Sequence, residues 1–285
     1  PDAYAGASSP VAGLLATASK AMGFVALMRI LVSVTMPLEG QAFWYTAIAL
    51  IAVVTMTWGN LAALTSDNPK RMLAYSSVSH AGYMLAGLAA IGSGLASEAA
   101  TELVLTAIVF HLAVLVIFKF GAFLVLSLLE TEDKGHRLED LHGLARRDPL
   151  VAGSMFLFML SLAGVPPLSG FLSKFLMING IVNISAGTGA SDATSVMDWL
   201  TSVEPVFWLA FAIVINSALS MFYYLRIGLV MFFEESVESR DLKDAFSLRM
   251  AILTCAILTV IVGIGPLSES LIDMVANAIE SFVSN

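Results

Sequence analysis

The sequence predicts an all-α polytopic membrane protein, with about seven transmembrane helices in a single membrane domain. Hydrophobic residues make up 58% of its 285 residues and charged residues 13%, whereas soluble domains average roughly 25% charged residues. Several runs of about 20 apolar residues raise the mean hydropathy to +0.86, and this length crosses a bilayer as a helix. The lipid bilayer is therefore an expected partner. A net charge of −8 argues against nucleic acid as another.

Seven apolar segments can be delimited along the chain, and the fifth is interrupted. A further stretch, 267–283, follows Gly265-Pro266 and repeats apolar residues at helical spacing, with acidic residues elsewhere around the helix. It predicts a short amphipathic helix lying at the membrane interface. The seven predicted spans are 11–31, 43–64, 72–91, 103–129, 150–184, 206–233 and 248–264.

The distribution of lysine and arginine between the loops predicts the orientation of the chain. Loops 65–71, 130–149 and 234–247 carry these residues, whereas loops 32–42, 92–102 and 185–205 contain none. Cytoplasmic loops of membrane proteins are enriched in lysine and arginine. Residues 1–10 are therefore expected on the cytoplasmic side, and the amphipathic stretch on the opposite side.

The fifth span is expected to break near its middle. Gly164, Pro166, Pro167 and Gly170 fall within about two turns of helix, and proline removes a backbone donor and disfavours helix in the preceding residue. Broken backbone at membrane depth is tolerated only where protein or a water-filled cavity satisfies the freed groups. Lys174 follows the break by one turn, so freed carbonyls and the positive end of the resuming helix should lie near its ammonium group. A break beside a buried cation is typical of an ion or proton path. The alternative is a lysine that only satisfies the exposed carbonyls.

Lys20 is the second lysine predicted within a span. It lies about nine residues into the first span, too deep for its ammonium group to reach the interface easily. Desolvation disfavours the charged form of an amine, so Lys20 could release and take up a proton. The alternative is a fixed charge paired with a structural carboxylate.

Three further ionisable residues are candidates for proton transfer. His111 and Lys119 share the fourth span about two turns apart, which places them on roughly adjacent faces where both could line one path. His80 lies in the third span beside serines and Tyr83. Imidazole relays protons through either nitrogen, and a lysine inside the membrane is a functional candidate by default. For each histidine, a hydrogen-bonded structural role is the alternative.

Signatures of redox and nucleotide chemistry are absent from the sequence. It has no Walker loop, dinucleotide fingerprint, cysteine cluster or haem motif. The single cysteine, Cys255, lies in an apolar run and is interpreted as a small packing residue. No cofactor is therefore expected in this chain, and the energy for transport must come from an ion gradient or from a partner.

Seven motifs are distributed over nearly the whole chain. They are Pro1-Asp-Ala-Tyr-Ala-Gly-Ala-Ser-Ser-Pro-Val, Ala18-Ser-Lys20, Gly59-Asn-Leu, Asn68-Pro-Lys-Arg-Met-Leu-Ala-Tyr-Ser-Ser-Val-Ser-His-Ala-Gly-Tyr83, Leu141-His-Gly-Leu-Ala, Ser161-Leu-Ala-Gly-Val-Pro-Pro-Leu-Ser-Gly-Phe-Leu-Ser-Lys174-Phe and Tyr223-Tyr-Leu-Arg226. Together they resemble the antiporter-like subunits of respiratory complex I, and among them the N-subunit (subunit 2) branch.

The resemblance implies an architecture and a set of sites. Such subunits have fourteen transmembrane helices with two inverted repeats, and this chain would hold helices eight to fourteen of a longer polypeptide. Residues 1–40 would end the first repeat, 41–235 would form the second, and 236–285 would add the last transmembrane helix and the amphipathic helix. Lys20 would match the lysine of helix eight, and Lys174 the lysine of broken helix twelve.

The resemblance also implies a function. The chain would translocate protons in the inner membrane of a prokaryotic cell, as a subunit of an NADH:quinone oxidoreductase. Quinone, flavin and Fe–S clusters would be bound by other subunits of the complex. Two alternatives remain: a subunit of a multisubunit sodium/proton antiporter, in which a lysine at the position of Lys119 is frequent, and a passive structural membrane subunit.

Overall fold

The described part of the chain folds into a bundle of helices without strands. The computed structural model describes residues 1–35, 42–186, 204–235, 242 and 245–283. The helices are α1 (Asp2–Gly6), α2 (Ser9–Leu14), α3 (Lys20–Ile30), α4 (Ala42–Leu64), α5 (Pro69–Ile91), α6 (Glu98–Glu130), α7 (Leu144–Arg147), α8 (Pro149–Ala163), α9 (Ser169–Ala186), α10 (Phe207–Phe233), α11 (Phe246–Ile261) and α12 (Pro266–Val283).

Each predicted apolar segment corresponds to a helix or a pair of helices, with ends that agree within a few residues. Among the described residues, four helices are long and apolar enough to cross a membrane, at Ser9–Ser33, Trp44–Leu64, Glu98–Glu130 and Phe207–Phe233. The bent pair Phe246–Ile261 and Pro266–Phe282 could form a fifth span. The all-α membrane fold is confirmed, whereas the exact number of seven spans stays a prediction.

The predicted break in the fifth segment is confirmed. Helix α8 ends at Ala163, Gly164 adopts a left-handed φ of +86°, and α9 begins at Ser169.

The predicted amphipathic helix is also present as α12. It turns away from α11 by 84° after Gly265, whose φ is +96°. Its position at the interface stays a prediction. Loops 32–42, 185–205 and 234–247, on which the orientation depends, lie mostly outside the described residues.

Helix α6 is the central element of the bundle. It is 33 residues long and contacts α2, α5, α8, α9, α11 and α12. Most of its side chains are buried, including His111 and Lys119 near its middle. Polar groups at these positions are therefore shielded from lipid by protein, as intramembrane ionisable residues generally are.

Helices α4 and α5 pack closely because glycine lies at two points of contact. A Cβ atom on Gly82 would lie 2.6 Å from the backbone nitrogen of Met56, and one on Gly59 would lie 2.6 Å from Ser79 Oγ. Small residues let helix backbones approach in membranes. This contact fixes the rotation of α5 and therefore the direction of His80 and Tyr83.

We expect Gly82→Ala to destabilise the protein, because the added methyl group meets the backbone of α4 and forces the helices apart. Overpacking of this kind costs about 1–3 kcal/mol. The matched control is Gly153→Ala, in another helix, whose Cβ would have no neighbour within 4 Å. Thermal unfolding of the purified protein in detergent should show a lower midpoint for Gly82→Ala alone. Equal midpoints for the two variants would contradict the assigned packing.

Ion pairs connect neighbouring segments at one end of the helix bundle. Lys70, only 2% exposed, lies 2.6 Å from Glu130 and also donates to the carbonyl of Ala7. The other carboxylate oxygen of Glu130 accepts from the backbone N–H of Ser9. This cluster joins the start of the chain to α5 and α6. Nearby, Arg147 pairs with Glu132, and Arg249 pairs with Asp148.

Candidate proton-transfer site

Lys174 occupies the break between α8 and α9. Its ammonium nitrogen donates to the carbonyls of Leu162 and Ala163, at 2.9 and 3.1 Å, and to Ser217 Oγ at 2.8 Å. The last carbonyls of a helix have no intrahelical partner, so the break creates the acceptors that hold this lysine. A Cβ atom on Gly164 would approach the Lys174 side chain to 3.2 Å. The sequence-based expectation that freed carbonyls surround Lys174 therefore agrees with the geometry.

His80 and His111 form a directly bonded pair between α5 and α6. His80 Nδ1 lies 2.9 Å from His111 Nε2, and the two rings stack with centroids 5.1 Å apart. His111 Nδ1 continues the contact to Ser173 Oγ at 2.8 Å, and Ser173 immediately precedes Lys174 in α9. Both rings are buried, so the pair can exchange protons without contact with bulk water.

Lys119 connects to the same pair through two hydroxyl groups. Its ammonium nitrogen donates to Ser76 Oγ at 2.8 Å, and Tyr224 donates to the same oxygen at 2.7 Å. The Tyr224 hydroxyl also lies 3.3 Å from His80 Nε2. Ser173, His111, His80, Tyr224, Ser76 and Lys119 thus form one continuous hydrogen-bonded chain, defined here as the buried polar chain.

Tyr83 bridges the space between Lys174 and the histidines. Its ring centroid lies 5.6 Å from Lys174 Nζ, and the ring contacts the His80 ring edge to face at 5.4 Å. Asn60 of α4 donates to the Tyr83 hydroxyl at 3.2 Å. Lys174 therefore contacts Tyr83, whose ring packs against His80. Among the described residues, it forms no hydrogen bond with a member of the buried polar chain.

Lys20 forms no hydrogen bond with the other candidates within the described residues. Its ammonium nitrogen donates to the backbone carbonyl of Ser77 at 2.5 Å, three residues before His80 in α5. Lys20 is only half-buried in the described chain and lines a cavity of about 400 Å³ that extends to Tyr4. Burial raises the pKa of the Tyr4 phenol, so that group stays neutral beside the cavity.

A π-helical turn precedes Lys20. Residues Leu15–Ser19 form the turn, and α3 begins at Lys20. Single π-helical turns inside α-helices occur frequently at functional sites. Nothing in the composition of this stretch predicted the turn.

The three lysines lack carboxylate partners within the described part of the chain. Lys119 and Lys174 are 0% and 5% exposed, and their contacts are hydroxyl and carbonyl oxygens. No ion pair of the described residues includes them or Lys20. An unpaired buried ammonium is costly, which favours reversible loss of the proton over a fixed structural charge.

Four of the five predicted site residues lie together between α5, α6, α9 and α10, and Lys20 is hydrogen-bonded to none of them. Sequence reasoning missed Ser76, Ser173 and Tyr224. Ser76 precedes His80 by one helical turn, and Ser173 precedes Lys174, so their positions carried a signal. Tyr224 belongs to the motif Tyr223-Tyr-Leu-Arg226, but its contacts carried no signal, because they depend on how α10 packs against α5. Within the described ranges, no cluster of three or more His, Cys, Asp or Glu residues could bind a metal ion.

Comparison with known proteins identifies the family. Residues 1–201 match the family described as "NADH:quinone oxidoreductase/Mrp antiporter, TM". The chain belongs to this family. It is 36% identical to the NADH-quinone oxidoreductase subunit N of Heliobacterium modesticaldum over 271 residues, which are 94% of this chain and 51% of the relative. The chain spans about half the length of the curated relatives it matches.

Solved structures of the NADH:quinone oxidoreductase/Mrp antiporter family share the fold. A chain of respiratory complex I from Thermus thermophilus is 32% identical, with a TM-score of 0.68 over 92% of this chain and 51% of that one. A chain of the Mrp complex from Dietzia sp. is 22% identical, with a TM-score of 0.77 over 97% and 54%. Both belong to multisubunit complexes, and the second likeness shows the fold alone. This chain is therefore an integral membrane protein with the antiporter-like fold.

Proposed function

We propose that this chain translocates protons as a membrane subunit of a complex I-type NADH:quinone oxidoreductase. The observation that carries the proposal is the buried polar chain, which links a histidine pair to Lys119 and ends beside Lys174. Lys174, Lys119, His111 and His80 are the proposed protonation sites along it. Lys20 is proposed as a separate protonation site, toward the half of the subunit that the relatives have in addition.

The proposed mechanism uses the cost of burying charge. A proton on Lys119 or Lys174 is held by hydroxyl and carbonyl oxygens rather than by a carboxylate. A change in charge at a neighbouring site can therefore shift the balance between protonated and neutral amine. Quinone reduction in other subunits would supply that change, and the proton would move along the buried polar chain.

The relatives support the proposed setting, and the distribution of lysine and arginine between the loops supports the proposed orientation. The partners are other membrane subunits, the surrounding lipid and protons, and the location is the inner membrane of a prokaryotic cell. Quinone, flavin and Fe–S clusters would be held elsewhere in the complex. Residues 1–10 would face the cytoplasm. The assignment of this chain to helices eight to fourteen places repeat boundaries at 40–41 and 235–236. Both boundaries fall beside or within the undescribed residues.

A sodium/proton antiporter subunit is the second candidate. The match to a family that includes Mrp antiporters and the fold shared with the Dietzia complex favour it. In that case an ion gradient, and no redox reaction, would drive the protons through the same residues. The two candidates differ in their energy source.

The test is transport by the intact complex in sealed vesicles. Addition of NADH and a quinone is expected to acidify the vesicle lumen in sodium-free buffer. An uncoupler should abolish this acidification, and added sodium should leave its rate unchanged. Proton movement driven by an imposed sodium gradient, with none driven by quinone reduction, would contradict the proposal and favour the antiporter.

A further inference from the structure

Tyr224 lies where the two halves of the buried polar chain meet. Its hydroxyl donates to Ser76 Oγ at 2.7 Å and lies 3.3 Å from His80 Nε2. Among the hydrogen bonds of the described residues, the imidazoles reach Lys119 through Tyr224 and Ser76 and by no other route. The continuity of the chain therefore depends on one phenol and one serine.

The hydrogen-bond directions along the chain are mutually consistent. Because Tyr224 donates to Ser76, its oxygen accepts from His80 Nε2–H. His80 Nδ1 then accepts from His111 Nε2–H, and His111 Nδ1 accepts from the Ser173 hydroxyl. One tautomer of each histidine satisfies every contact, so a proton can pass along the chain by successive transfers.

Ser173 has a second acceptor that matters when a proton arrives. Its hydroxyl also lies 3.0 Å from the carbonyl of Gly170. If His111 carries a proton on both nitrogens, Nδ1–H donates to Ser173, and the serine hydrogen turns to Gly170. The chain thus accommodates both the neutral and the charged imidazole without moving heavy atoms.

We propose that Tyr224 and Ser76 relay protons between the histidine pair and Lys119, an inference that rests on the proposed function. When a proton binds to His111 Nδ1, His111 transfers its Nε2 proton to His80 Nδ1. His80 gives its Nε2 proton to the Tyr224 oxygen, Tyr224 gives its hydroxyl proton to Ser76, and Ser76 gives its own to the neutral amine of Lys119. Each relay group gains one proton and loses one, and Lys119 ends as an ammonium. Transfer in the opposite direction reverses each step.

Tyr223 provides a matched control for Tyr224. It precedes Tyr224 in α10 and is equally buried, at 1% exposed. Its hydroxyl lies beside the same cluster but donates its hydrogen to Asn60 Oδ1 at 3.1 Å. Removing the Tyr223 hydroxyl costs one buried hydrogen bond and removing the Tyr224 hydroxyl costs two, but only the loss at Tyr224 interrupts the buried polar chain. A purely structural role for the two phenols predicts similar effects.

The experiment measures proton pumping and NADH:quinone turnover by the intact complex in sealed vesicles. Tyr224→Phe is expected to lower pumping by at least about 100-fold, the lower end of the range for loss of a positioned proton-transfer group, and Tyr223→Phe by less than about twofold. Ser76→Ala should lose pumping, whereas Ser76→Thr, which keeps a hydroxyl, should retain it. Ser79→Ala controls for removal of a buried serine hydroxyl that bonds only within its own helix.

The outcomes separate failure of the relay from failure of the proposed function. Normal pumping by Tyr224→Phe, equal losses in both tyrosine variants, or equal behaviour of Ser76→Ala and Ser76→Thr would overturn the relay. Lys119→Met is measured in parallel. If it has lost pumping while Tyr224→Phe pumps normally, the proposed function stands and only the relay fails. If Lys119→Met and Lys174→Met both pump normally, the proposed function itself fails.

Discussion

Lys119→Met is expected to abolish coupled proton pumping without destabilising the protein. Lys119 is fully buried, lies at the end of the buried polar chain and has Ser76 as its hydrogen-bond partner. Methionine is similar in volume but can neither accept nor donate the transferred proton. An unpaired buried ammonium is costly, so an apolar side chain of similar volume removes that cost, and Ser76 keeps Tyr224 as a partner. The thermal midpoint should therefore stay within about 3 °C of the wild type.

Turnover, lumen acidification and thermal unfolding of the assembled complex provide the check. Lys134→Met is the control, because it removes the same charge from a loop beyond the end of α6. It should pump normally. Normal pumping by Lys119→Met would show that this lysine is not part of the proton path. A collapse of stability with loss of assembly would instead indicate that its role is structural.

His111→Leu is the second change with a large expected effect. Its two nitrogens contact His80 and Ser173, so the substitution disconnects both sides of the buried polar chain at once. Loss of a positioned proton carrier lowers rates by about 10²–10⁴-fold. We therefore expect pumping to fall by at least about 100-fold, and turnover to fall with it if the two are tightly coupled.

The corresponding control is His142→Leu, which changes a histidine in the segment between α6 and α7. Pumping and turnover should be measured on the same vesicle preparations for both variants. A His111→Leu complex that turns over and pumps at the wild-type ratio would show that protons bypass the histidine pair.

The helices and the break could be predicted because both are determined locally. Apolar length sets the spans, and Gly164 with the two prolines ends α8 regardless of its neighbours. The contact of Lys174 with free carbonyls follows from the same local chemistry, since a helix that stops beside a lysine offers it acceptors. These features needed no knowledge of how the helices pack.

The connections between sites could not be predicted, because they depend on the relative rotation of the helices. The sequence placed His80, His111 and Lys119 at membrane depth. The spacing of residues along one helix does not specify which side chains of neighbouring helices they contact. The packing of Gly82 against Met56 sets the rotation of α5, and the packing of α10 brings Tyr224 to Ser76. Helix rotation also decides that Lys20 bonds to the Ser77 carbonyl rather than to another candidate.

The most direct test of the central claim is the number of protons pumped per electron by the Lys174→Met complex in sealed vesicles. Donor oxidation and lumen acidification are recorded together, after assembly of the complex has been verified. The proposal predicts that pumping is lost and that coupled turnover falls, since Lys174 holds the transferred proton at the break. An unchanged number of protons per electron would contradict it and would leave the buried charges with a structural role alone.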